Sequence, residues 1–191
     1  MKPRRLVVIG SSWGGFNALG HILSELPQDL DAPVVVVQHR LADSSDGPFV
    51  SYYAKRSSLP VYTVEDKEPM LPGRVYIAPA DYHLLVDNGH FALSTDGVVQ
   101  FSRPSIDVLF ESAAHAHGSA VIGVILTGAN EDGAAGLSAI ARSGGTTIVQ
   151  DPATAERREM PTAALAATEV DEVLSLDEIP RRLVTLVGAA S

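Results

Sequence analysis

The chain has 191 residues, 46% of them apolar, and a mean hydropathy of +0.13, which fits one globular domain with a full core. Fourteen basic against 23 acidic residues give a net charge of −9, and no Lys/Arg cluster exceeds a pair, which argues against nucleic acid or an anionic membrane as partner. With no cysteine there is neither a disulfide frame nor a thiolate metal site; no apolar run reaches membrane-spanning length and Leu6–Ile9 is too short for a signal-peptide core, so the expectation is a cytoplasmic protein without membrane insertion.

Leu6-Val7-Val8-Ile9 reads as a strand with no wet face, as in a parallel sheet covered on both sides. Gly10 reads as the residue that turns the chain, residues 10–15 as a strand-to-helix turn, and the following segment as a helix with Phe16, Leu19, Leu23 and Leu26 on one face. Pro33 to His39 reads as a second buried strand. A loop at Asp43–Pro48, a helix from about Phe49 to Arg56 and a short strand Val61–Val64 follow, a strand-helix-strand order that implies right-handed parallel crossovers. Arg74–Ala78 reads as another strand, and His83–Leu93 as two short runs joined by Asn88-Gly89, a strong hairpin signal. Pro104 is expected to open a helix through about His115, with Ile106, Leu109, Phe110 and Ala113 on one face.

The third buried strand, Ala120–Leu126, leads through Thr127–Gly133 into a helix over Ala134–Arg142 that Gly144-Gly145 ends. Thr146–Gln150 is one more strand, Asp151–Glu159 a polar loop, Pro161 the neighbourhood of a small helix, and Val170–Leu174 the last strand. Asp177 is expected to cap the final helix, with Pro180 in its first turn. The fold expected is α/β: a doubly wound, mostly parallel sheet with helices on both faces, a Rossmann-like three-layer arrangement, plus an antiparallel hairpin.

In such sheets the ligand site lies beyond the carboxyl ends of the strands. Three residues of complementary chemistry fall there: Ser12, His39 and Asp132. A hydroxyl attacks well only when a base takes its proton, and an imidazole is a better base when a carboxylate fixes its tautomer. Gly10-Ser11-Ser12-Trp13-Gly14 has the G-x-S-x-G spacing of a nucleophile elbow, but a glycine-rich turn also fits an anion- or nucleotide-binding module. The dinucleotide pattern would need a glycine where Ser12 stands. His39 also fits a strand-end histidine with a satisfied hydrogen bond, and Asp132 a cap on the helix after it, with Glu131 a competing carboxylate. His21, His90, His115 and His117 lack metal-ligand spacing, so no metal is expected; His83 is ambiguous.

These residues together resemble the catalytic domain of the chemotaxis protein-glutamate methylesterases (CheB type). The resemblance runs from Val8–Gly15 through Val37-Gln38-His39, Tyr76–Pro79, Ser102–Phe110 and Leu126–Gly136 to Gln150–Ala155 and Met160-Pro161. It implies Ser12 as nucleophile, His39 as base and Asp132 as carboxylate, with an oxyanion hole from the backbone N–H groups of Trp13 and Ala129. The reaction implied is hydrolysis of γ-glutamyl methyl esters on methylated chemoreceptors or similar signalling proteins, with glutamine deamidation as a second activity and no cofactor.

The family usually joins this domain to an N-terminal phosphorylatable receiver; the expectation is one methylesterase domain over residues 1–191 with no receiver domain in this chain, that regulation being missing, supplied in trans or lost through truncation. Trp13 stands where the family usually has a small polar residue; its backbone can still donate, and whether its ring narrows the site or alters which substrate helix fits stays open at this point. Glu156-Arg157-Arg158-Glu159 replaces a more apolar, glycine-containing approach to Met160-Pro161. A non-catalytic or anion-binding module on the same fold is the alternative.

Overall fold

The structure is a computed structural model that describes residues 4–188. It runs β1 (Leu6–Ser11), α1 (Gly15–Glu25), β2 (Val34–Gln38), α2 (Asp46–Ala54), β3 (Val61–Thr63), β4 (Val75–Ile77), β5 (His83–Asp87), β6 (His90–Ser94) and α3 (Ile106–His117). After a short 3₁₀ turn at Gly118–Ala120 come β7 (Val121–Ile125), α4 (Ala134–Arg142), β8 (Thr146–Gln150), α5 (Glu159–Ala167), β9 (Glu172–Leu174) and α6 (Ile179–Gly188).

Seven strands form one sheet in the order β3-β4-β2-β1-β7-β8-β9, every pair parallel. Because side chains alternate along a strand, the uniformly apolar strands feed two cores at once. Val7, Ile9, Val34, Val36, Ile122 and Val124 pack with Leu19 and Leu23 of α1, Tyr53 of α2 and Leu183 of α6. Leu6, Val8, Val35, Val37 and Ile125 face the other way, onto Leu109 and Phe110 of α3, Leu137 and Ile140 of α4 and Met160 of α5. The hairpin β5–β6 is antiparallel and adds Leu84, Val86 and Phe91 to that second core. Asn88 and Gly89 both have positive φ, 46° and 89°, the turn geometry that matches strand twist.

The sequence reading of an α/β three-layer fold with an added hairpin therefore holds, and it fails locally. Gly10 does not turn the chain; it lies inside β1, level with Val37 and Ile125. A β-carbon there would collide with Cγ2 of Ile106, so the glycine admits α3 against the sheet. The turn is Ser12–Gly14, where Gly14 takes the left-handed conformation at φ 78°. Pro104 does not open α3: Ser105 is the N-cap, its hydroxyl accepting the Val108 N–H, and the helix runs on to His117. Glu178, not Asp177, directly precedes α6, and Asp177 instead pairs with His21 at 3.0 Å. Among the described residues, no helix is long and apolar enough to cross a membrane.

From β1 the chain moves to β2 on one side, and later sets β7 on the other side of β1. Loops leaving the carboxyl ends of β1 and β7 must therefore part company, and the gap between them is where such sheets bind ligands.

Candidate active site

At that gap the Ser12 N–H donates to the Thr127 carbonyl at 3.0 Å, tying the turn after β1 to the loop after β7. The His39 N–H donates to the Ser11 carbonyl at 3.0 Å, which ties the end of β2 to the same turn. Gln38 completes the knot, its Nε2 donating to the carbonyls of Ser12 and His39 at 2.8 and 3.0 Å. Adjacent serines are thereby separated in role. Ser11 is fully buried with its hydroxyl donating to Gln38 Oε1 at 2.5 Å, while Ser12 is half-buried and its hydroxyl makes no hydrogen bond among the described residues.

His39 and Asp132 come together. His39 Nε2 lies 2.7 Å from Asp132 Oδ2, with the His39 side chain 10% exposed and that of Asp132 wholly buried. Asp132 accepts three further hydrogen bonds: from the Ile106 N–H at 2.7 Å, the Asp107 N–H at 3.0 Å and the Ser105 hydroxyl at 2.8 Å. It therefore caps α3, not the helix that follows it; α4 starts at Ala134, and the residue at its N-cap, Gly133, has no side chain to cap it. Burial alone would lift the Asp132 pKa, but the bonds from His39 and the Asp107 and Ile106 amides hold it below the usual carboxylate range. An ionised Asp132 accepts a hydrogen bond from the Nε2–H of a neutral His39, which leaves the Nδ1 lone pair as the basic site. Nδ1 lies 3.4 Å from the Ser102 hydroxyl. No hydrogen bond joins the Ser12 hydroxyl to His39 in this structure, so the carboxylate half of the expected trio is assembled and the hydroxyl half is not. Catalytic contacts are commonly loose before substrate arrives.

A cleft of about 240 Å³ opens beside His39, bordered by Leu41, Ala42, Phe101 and Pro104, with Phe101 98% exposed. Its walls are held by ion pairs: Arg40 to Asp46, and Arg103 to Asp81 at 2.6 Å. The N–H groups of Trp13 and Ala129 donate to no acceptor among the described residues, so both stay available to a ligand oxygen. Trp13 lies at the surface: the residue is 60% exposed, its Nε1 donates to Glu156 at 3.1 Å, and the Arg157 guanidinium sits 5.5 Å from the ring centre. Glu156 and Arg157 thus meet Trp13 at the rim.

Sequence reasoning missed the residues that hold this arrangement. Thr127 takes the Arg157 N–H on its hydroxyl at 2.8 Å and donates to the Trp13 carbonyl at 2.9 Å, joining two loops. His83, ambiguous beforehand, is a buried tie: Nδ1 accepts the Ser105 N–H at 3.2 Å and Nε2 donates to the Gly97 carbonyl at 3.0 Å. A serine ahead of an apolar run was a readable signal for Ser105; nothing local marks Asp107, whose partners lie in another helix. Among the described residues, no group of three or more His, Asp or Glu is placed to hold a metal ion.

The family model for the CheB methylesterase matches residues 7–183. The chain belongs to the CheB methylesterase family. A relative in Leptospira interrogans, provisionally named for methylesterase and glutaminase activity, is 47% identical over 181 residues, covering 94% of this chain and 93% of its own length. The protein-glutamate methylesterase/protein-glutamine glutaminase 2 of Anaeromyxobacter dehalogenans is 44% identical over 178 residues; the match covers 93% of this chain and only 52% of that relative. The crystal structure of the CheB methylesterase catalytic domain from Thermotoga maritima superposes with a TM-score of 0.88 at 37% identity, covering 95% of this chain and 98% of that one. As a CheB-family member the chain is a methylesterase, and its fold is that of the family's catalytic domain.

Proposed function

We propose that this CheB-family chain is a serine hydrolase that demethylates glutamate γ-methyl esters on chemoreceptor-like signalling proteins through an acyl-enzyme on Ser12. The observation that carries the reading is the buried Asp132 bound to His39 Nε2 next to the turn that bears Ser12. Ser12 Oγ attacks the ester carbonyl while His39 Nδ1 takes its proton. The oxyanion of the tetrahedral intermediate accepts the Trp13 and Ala129 amides, each such donor being worth ~10²–10³ in rate. Collapse breaks the bond to the methoxy oxygen, which leaves as methanol with the proton from His39. Water then adds to the acyl carbon, gives one proton to His39, and Ser12 departs carrying that proton, leaving a γ-carboxylic acid that ionises to the carboxylate by losing its proton to solvent. Glutamine deamidation follows the same course with ammonia as the leaving group, and water is the sole co-reactant.

A methylated receptor or similar signalling protein is the proposed substrate; the names of the relatives support a glutamate methyl ester on a protein. The match over 93% of the Leptospira relative supports reading residues 1–191 as a methylesterase domain. The test is methanol release from methylated receptor. Ser12→Ala is expected to lose at least ~10³-fold in kcat, and Ser11→Ala to keep most activity, because the Ser11 hydroxyl is already committed to Gln38. The opposite ranking would move the nucleophile one residue back. A Ser12 that resists a fluorophosphonate probe in the folded protein would count against the reading altogether.

A further inference from the structure

Helices α3 and α4 exchange their caps. Asp132, immediately before α4, accepts the Ile106 and Asp107 amides at the start of α3. Asp107, in the first turn of α3, accepts through Oδ1 the amides of Gly133 and Gly136 at the start of α4, at 2.9 and 2.7 Å. Free N–H groups in a first helical turn attract an anion, so each helix is anchored by a carboxylate from the other's stretch of chain. The two helices are also in close contact: a β-carbon on Gly136 would lie 2.5 Å from Phe110 Cβ and 3.1 Å from Asp107 Cα.

This arrangement is expensive in electrostatic terms. Asp107 is 6% exposed and Asp132 is not exposed at all, so two carboxylates share one dry region. Burial first, and the Asp132 charge with it, push Asp107 up to about 6. The titratable groups facing Asp107 are Asp132, Glu111 on its own helix and, across a cavity of about 380 Å³, Glu131. A neutral serine or asparagine would cap a helix without that opposition. What the exchange adds is rigidity at one point. Turning the start of α4 away from α3 breaks bonds at both carboxylates, and Asp132 cannot leave His39 without disturbing Asp107.

We propose that Asp107 is a positioning residue for the esterase: by clamping the start of α4 to α3 it holds Asp132 on His39 Nε2. The inference rests on His39 and Asp132 being the base and its carboxylate. The test compares Asp107→Ala, Asp107→Asn and Ser12→Ala in the full chain. It reads kcat and KM for methanol release across pH, and the His39 imidazole N–H signal by NMR.

Asp107→Ala is expected to lower kcat ~10–100-fold with KM little changed, and to abolish the downfield Nε2–H signal. Asp107→Asn keeps an acceptor oxygen for Gly133 and Gly136. It should restore kcat and the signal, since one oxygen already serves both amides. A folded Asp107→Ala with wild-type kcat and imidazole signal would overturn the proposal. Should that variant fail to fold, Asp107→Ser, whose shorter hydroxyl cannot span both amides, takes its place, and wild-type kcat with an unchanged imidazole signal in it would overturn the proposal as well. Failure of the underlying reading looks different: it is turnover that survives Ser12→Ala, with the response of the His39 signal to Asp107 judged separately.

Discussion

At the residue scale, Asp132 is saturated, since His39, Ser105, Ile106 and Asp107 together donate to both of its oxygens. An amide in its place has one acceptor and must turn N–H groups toward donors on one side. Asp132→Asn is therefore expected to cut kcat by ~10³–10⁴ and to weaken the fold by about 2–4 kcal/mol, measured by methanol release and urea unfolding. The two buried aspartates have opposite pH signatures. Asp132, lowered in the fold, contributes stability that is present above its unfolded pKa and is lost as acid takes the pH down through its folded value. Asp107, raised from 3.8 to about 6, does the reverse: its ionisation opposes folding, and stability declines as pH climbs through that window by at most about 3 kcal/mol. Asp107→Asn should thus gain on wild type between pH 4 and pH 7 in urea unfolding, whereas parallel stability curves would contradict the assignment. Strand-end chemistry picked out Ser12, His39 and Asp132 as candidates in the sequence, and the fold brings His39 and Asp132 together. Asp107 was not, because its bonds to Gly133 and Gly136 exist only once two helices have packed.

At the scale of elements, the runs Leu6–Ile9, Val34–Val37 and Val121–Leu126 could be read as strands because a covered parallel sheet leaves no position for a polar side chain. Their ends could not. Gly10 continues β1 and is needed for close approach, a demand set by Ile106 almost a hundred residues later in the chain. Gly10→Ala should cost about 1–3 kcal/mol through overpacking, and should also depress kcat, since the displaced Ile106 carries an amide that binds Asp132. Trimming the obstacle tests this. Ile106→Ala alone is expected to cost about 2–5 kcal/mol, while the pair should cost less than the sum by about 0.5–3 kcal/mol. Strict additivity in thermal unfolding would mean the two sites do not collide.

At the scale of the whole molecule, one sheet divides two cores, and neither face can come apart without uncovering the other side of the same strands. Leu23→Ala on one face and Leu137→Ala on the other, both wholly buried, should each cost about 2–5 kcal/mol and leave a single urea transition of unchanged slope. A second transition for either variant would show that the faces unfold independently. The three-layer plan was legible from the alternation of elements, but the order β3-β4-β2-β1-β7-β8-β9 was not, because nothing local tells a strand which edge it will join. That order brings Trp13, the sole tryptophan of the sequence, to the rim of the site with its indole tied to Glu156. The intrinsic ultraviolet emission of this protein therefore comes from a lamp beside Ser12. Its colour reports whether water or a docked surface covers that spot, with no label to attach and no second indole to subtract.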